Sequence, residues 1–84
     1  MKEITLTVTN KLGLHARPAA AFVQTAAAFQ SQISISTGTK EADAKSILGV
    51  LGLGVRQGTV ITIRVQGSDE NEAVPALQAF FETL

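Results

Sequence analysis

The 84 residues bound one domain with room for a single core and a single site. Apolar side chains make up 45% of the chain and charged ones 17%, which excludes a disordered tail. Seven basic and seven acidic residues cancel, so neither nucleic acid nor an anionic membrane is favoured as a partner. The absence of cysteine and the single histidine argue against disulfide, thiolate and zinc chemistry.

Taken in chain order, residues 3 to 9 alternate, with Ile4, Leu6 and Val8 on one face and Thr5, Thr7 and Thr9 on the other. That is the period of a half-buried strand, and the segment has no continuous apolar run of signal-peptide or membrane-spanning length. A cytoplasmic protein without membrane insertion is expected. From Ala16 to Phe29, the residues Ala19, Phe22, Val23, Ala26 and Phe29 recur at helical spacing, with Pro18 in the first turn. Ile33 and Ile35 alternate with polar neighbours, and Lys40 to Ala44 pairs back after the turn at Gly38, giving a second strand and a short polar third. Ser46 precedes a brief helical pattern, Ile47, Leu48, Val50 and Leu51, diluted by Gly49 and Gly52 and closed by Gly54.

Val60 to Gln66 forms the fourth strand, placing Ile61, Ile63 and Val65 inward. Ser68 and Asp69 offer caps for a last helix, and the Asp69/Glu72 spacing resembles a capping box ahead of Ala73, Leu77, Phe80 and Leu84. Pro75 predicts a distorted first turn or a start nearer residue 74. Every strand has one apolar face, and the helix between the first two strands favours a right-handed crossover whose gap the fourth strand fills. The expected fold is α/β (α+β): an open-faced β-sandwich, with a four-stranded antiparallel sheet and three helices on one face, in the order βαββαβα over residues 1–84.

The chemistry concentrates at GLHARPAA, residues 13 to 20. His15 stands just before the first helix, where the leading backbone N–H groups lack partners and the dipole is positive. A phosphoryl group on its imidazole would meet the N–H groups of Ala16 and Arg17, and the Arg17 guanidinium can fork onto two phosphate oxygens. The same positive end disfavours imidazolium and so favours a nucleophilic ring. A histidine at a helix start also serves as an ordinary surface or capping residue, and local chemistry alone leaves both readings open. Ser46, likewise, reads first as an N-cap. Ile47, Leu48 and Leu51 are either core residues or an exposed patch, since one sheet face cannot cover all three.

GLHARPAA, with AKSILGVLGLG at 44–54, QGTVITI at 57–63 and GSDENEA at 67–73, resembles the HPr family across essentially the whole chain. These are the histidine-containing phosphocarriers of the bacterial phosphoenolpyruvate-dependent sugar phosphotransferase system. The resemblance implies a phosphohistidine at His15, formed on Nδ1, with Arg17 assisting transfer. It implies enzyme I as donor and the A domains of enzyme II permeases as acceptors, with no cofactor, no metal and no stand-alone enzyme activity. It makes Ser46 a candidate for regulatory phosphorylation, involving a serine kinase/phosphorylase and a catabolite-repression regulator. It places partner docking on Ala16, Arg17, Ala20, Ile47, Leu48 and Leu51. Leu12, Gly52 and Pro75 depart from the usual family pattern and bear on partner specificity. A nitrogen-branch carrier and a module that binds an anion without covalent chemistry stand as alternatives. A monomer is expected, because a carrier keeps its site open to successive partners.

Overall fold

The computed structural model describes residues 1–84, with elements β1 (Lys2–Thr7), α1 (Ala16–Ala27), β2 (Gln32–Ser36), β3 (Glu41–Asp43), α2 (Ile47–Gly52), β4 (Val60–Gln66) and α3 (Glu70–Glu82). The sheet order is β1-β4-β2-β3, and every neighbouring pair is antiparallel. The fourth strand therefore fills the gap between the first two, and the βαββαβα open-faced sandwich is the observed architecture.

Registry explains the two faces. Ile63 pairs with Ile4 on one side and Ile35 on the other, while Val65 pairs with Ile33 and Ile61 with Leu6. This continuous apolar surface packs beneath the helices, with Ile33, Ile35, Ile61, Ile63 and Val65 fully buried. The opposite face carries Thr5, Thr62, Ser34 and Arg64. Arg64 bridges Glu3 on β1 at 2.7 Å and Glu41 on β3 at 3.3 Å. No helix is long and apolar enough to cross a membrane.

One helix departs from the sequence expectation, and another takes the first of its two alternatives. α1 stops at Ala27 instead of Phe29, because the Ala28 and Phe29 amides fold back onto the Thr25 and Ala26 carbonyls in a tightened final turn. α3 begins at Glu70 and runs through Pro75, four residues earlier than a start at 74. Its first turn is tightened, with the Asp69 carbonyl accepting from both Glu72 N (3.1 Å) and Ala73 N (3.0 Å). Leu84 falls beyond this helix and is exposed. Phe22 of α1 meets Phe80 and Phe81 of α3 with ring centroids 5.6 and 5.5 Å apart, which fixes α1 against α3.

The capping box does not form: Asp69 makes no side-chain cap bond. Its carboxylate reaches across to the end of α1, accepting from Gln30 N at 2.8 Å, from Ser31 N at 3.0 Å and from the Ser31 hydroxyl. The donation from Ser31 and Gln30 holds the Asp69 carboxyl below its ordinary value of 3.8. A carboxylate depressed in the folded state adds stability that is complete above the unfolded value and vanishes as pH falls through the folded one. Asp69→Asn should therefore flatten the acid limb of the stability profile below about pH 4. Urea melts of both proteins from pH 2 to 7 check this.

Candidate functional site

His15 occupies the N-cap position of α1 with an extended backbone, φ −77° and ψ −175°, and its ring is exposed. Three features hold it there. Leu14 is buried in the core and its N–H donates to the Val55 carbonyl at 3.1 Å. Gly13, at φ +63°, lies against the backbone of Val55 and Arg56, where a Cβ would come within 2.7 Å of Arg56 Cα. The His15 carbonyl accepts from Ala19 N at 2.9 Å, beginning the helix.

The opening of α1 leaves backbone donors without partners. Pro18 has no N–H, and the amides of Ala16 and Arg17 bond to nothing inside the protein. No acidic side chain stands in the first turn to compete for that charge. Arg17 is exposed and takes part in none of the ion pairs, so its guanidinium is available to a ligand. His15 Nδ1 lies 3.4 Å from the Gly13 carbonyl oxygen, a long contact that is a hydrogen bond only when Nδ1 carries a proton.

Ser46 is the N-cap of α2, and its hydroxyl accepts from Gly49 N at 3.1 Å. The capping reading is the observed geometry, and the Ser46 side chain is exposed. α2 packs beside α1. Within α2, Val50 is fully buried and supplies the core contact, whereas Leu48 is 80% exposed and Ile47 and Leu51 are each 37% exposed. The three form a patch instead of core. On α1, Ala16, Arg17 and Ala20 are all exposed, Ala16 and Ala20 lying one turn apart on a single face. Leu12, in the turn before His15, is 69% exposed.

Sequence reasoning overlooked Asn10, whose side-chain amide donates to the Gly13 carbonyl at 2.8 Å. Asn is a common turn residue three positions before a glycine, and that was the available signal. The clefts in the surface lie elsewhere. One of about 570 Å³, lined by Gln32, Ser34, Asp43, Lys45 and Arg64 among others, opens on the exposed sheet face, and a second of about 420 Å³ adjoins it near Thr37 and Lys40.

Fold and site together define a small protein that presents one imidazole at the positive end of a helix, outside any cavity that would enclose a substrate. A family model described as the PTS HPr component phosphorylation site matches residues 2–83. A relative from Xylella fastidiosa (strain Temecula1), named Phosphocarrier protein HPr, is 55% identical over 82 residues, covering 98% of this chain and 92% of its own. The crystal structure of an HPr from Thermoanaerobacter tengcongensis superposes with a TM-score of 0.95 at 52% identity, covering 99% of this chain and 93% of that one. A crystal structure described as an HPr dimer from the same organism gives 0.78 at 52% identity, with 99% and 95% covered. The chain belongs to the HPr family, the phosphocarriers of the phosphotransferase system.

Proposed function

We propose that His15 accepts a phosphoryl group on Nδ1 from phospho-enzyme I and passes it to the A domains of sugar-specific enzyme II permeases. The observation that carries this reading is the exposed imidazole set beside two unpaired backbone N–H groups, Ala16 and Arg17, at the mouth of α1. In the forward step the Nδ1 lone pair forms a bond to phosphorus as the bond from phosphorus to the donor breaks, and that electron pair leaves with the donor. The Ala16 and Arg17 amides and the Arg17 guanidinium then carry the charge of the transferred oxygens.

The seat must bind the phosphoryl group without trapping it. An exposed helix terminus contributes about 0.3–1 kcal/mol toward an anion, enough to orient it and too little to oppose its departure. The receiving partner provides the remaining stabilisation. Residues 1–84 act as one carrier domain in the cytoplasm, without cofactor or metal and without turnover in the absence of partners. Docking uses Ala16, Arg17, Ala20, Ile47, Leu48 and Leu51, an apolar surface with a cation at its centre that suits brief contact with several proteins. The carrier works as a monomer, since an interface over α1 and α2 would cover the site.

Incubation with phosphoenolpyruvate and enzyme I tests the reading. The expected result is one added phosphoryl group of about 80 Da that is lost in mild acid, as phosphate on nitrogen is. No gain in mass, or an acid-stable gain, contradicts it.

Ser46 is the proposed regulatory site, modified by a serine kinase/phosphorylase and read by a catabolite-repression regulator. Phosphorylation would place nearly two negative charges where the α2 terminus already tolerates an acceptor, so the fold need not change. On a helix packed beside α1, that charge repels an acidic donor surface. Ser46→Asp should keep the wild-type melting temperature and slow uptake from phospho-enzyme I by at least about tenfold. Uptake at the wild-type rate would refute the regulatory role.

A further inference from the structure

Asn10 acts on the same oxygen that faces the reactive ring. Its Nδ2 donates to the Gly13 carbonyl at 2.8 Å, and His15 Nδ1 approaches that carbonyl oxygen at 3.4 Å. The Gly13 amide returns a bond to the Asn10 carbonyl at 3.2 Å, closing residues 10–13 into a turn. The N–H of the same peptide unit, that of Leu14, donates to the Val55 carbonyl at 3.1 Å in the loop before β4, which fixes the plane that carries the Gly13 oxygen.

The orientation of the Asn10 amide is set by chemistry. Reversing it would place Oδ1 against the Gly13 oxygen, two acceptors face to face. In the observed orientation Oδ1 is buried and accepts nothing. An unpaired buried acceptor costs free energy, a loss that a cap turned toward water would avoid. The side chain keeps its donor on the Gly13 oxygen despite that cost.

This arrangement bears on which ring nitrogen holds the proton. With the proton on Nδ1, the contact to Gly13 is a long hydrogen bond. With the proton on Nε2, the Nδ1 lone pair faces the lone pairs of the oxygen. Only the second tautomer offers an Nδ1 lone pair to phosphorus, yet an unoccupied carbonyl favours the first. The shorter bond from Asn10 takes one of the oxygen's two lone pairs and leaves it a weaker acceptor toward the ring.

We propose that Asn10 is a positioning residue for phosphoryl transfer, favouring a free Nδ1 lone pair on His15 by competing with the ring for the Gly13 carbonyl. The inference rests on His15 Nδ1 being the acceptor. In the step it assists, Nδ1 bonds to phosphorus, the donor leaves with the electron pair of its broken bond, and the ring proton stays on Nε2.

The test uses the full chain with 15N-labelled histidine, read at the alkaline plateau of its nitrogen shifts. Wild type is compared with Asn10→Ala and with the isosteric Asn10→Asp, which keeps the shape of the side chain and loses the N–H donor. Both variants should shift the His15 nitrogen resonances toward the Nδ1–H tautomer by about threefold to tenfold in ratio, the equivalent of one ordinary hydrogen bond. Uptake from phosphoenolpyruvate and enzyme I should slow by a similar factor. Nitrogen resonances unchanged in a folded variant overturn the proposal, even if uptake slows, because slower uptake alone reports a structural role for the turn. The tautomer ratio is read without phosphate, so the two failures are distinct: a wild type that is not labelled sinks the acceptor assignment of His15 and the transfer role of Asn10 with it, whereas unchanged resonances in the variants sink the role of Asn10 alone.

Discussion

Replacing His15 with alanine should abolish phosphoryl uptake and leave the fold intact. The ring is exposed, and although His15 occupies the N-cap position, its side chain makes no capping hydrogen bond to α1. Removal should therefore change stability by no more than about 0.5 kcal/mol, the usual range for a surface substitution. The core element that anchors the loop is Leu14, and the backbone bonds from Leu14 to Val55 and from Ala19 to His15 do not use the imidazole. Function and stability thus separate at this residue. Thermal melts paired with labelling by phosphoenolpyruvate and enzyme I measure both, and residual labelling of a folded His15→Ala protein would move the acceptor to another side chain.

Gly13→Ala should damage both at once. The backbone at φ +63° is a conformation that L side chains rarely adopt, and the added Cβ would stand 2.7 Å from Arg56 Cα, against backbone that cannot rotate out of the way. Strain and clash together should cost about 3 kcal/mol. For a domain of this size that lowers the melting temperature by more than about 10 °C. The loop before β4 and the loop before α1 would have to separate, shifting the carbonyl that faces His15 Nδ1 and the amides proposed to receive the phosphoryl oxygens. A calorimetric scan and an uptake assay run below the lowered melting temperature measure the two effects. Wild-type values in both would show that the contact between these loops is not needed.

Much of this was legible in the chain because local periodicity and tertiary burial agree. Ile61, Ile63 and Val65 alternate with polar residues, and the sheet buries those three. The N-cap role of Ser46 was legible for the same reason, since capping is satisfied within three residues. α2 shows the limit of periodicity. With six residues and apolar side chains at four positions, it has no distinct apolar stripe, and only packing decides that Val50 turns inward while Leu48 faces water.

Asp69 misled for a different reason. Its spacing to Glu72 satisfies a local rule, but Ser31 and Gln30, nearly forty positions away in sequence, offer three donors where the cap offers fewer. Long-range hydrogen bonding overrode the local motif. Of the two outcomes Pro75 suggested, the tightened first turn is the observed one: five helical residues precede it, and burial of Ala73 and Leu77 outweighs the loss of one backbone bond. Asn10 escaped notice because its partner is a backbone oxygen, and residue type says nothing about which carbonyl a side chain will meet.

Carrier function depends on a phosphorus–nitrogen bond at one ring. The most direct measurement is nuclear magnetic resonance of the chain carrying 15N-labelled histidine after incubation with phosphoenolpyruvate and enzyme I. A one-bond coupling between phosphorus and the Nδ1 of His15 is the predicted result. A phosphorus resonance without coupling to nitrogen, or none at all while enzyme I is itself phosphorylated, would contradict it.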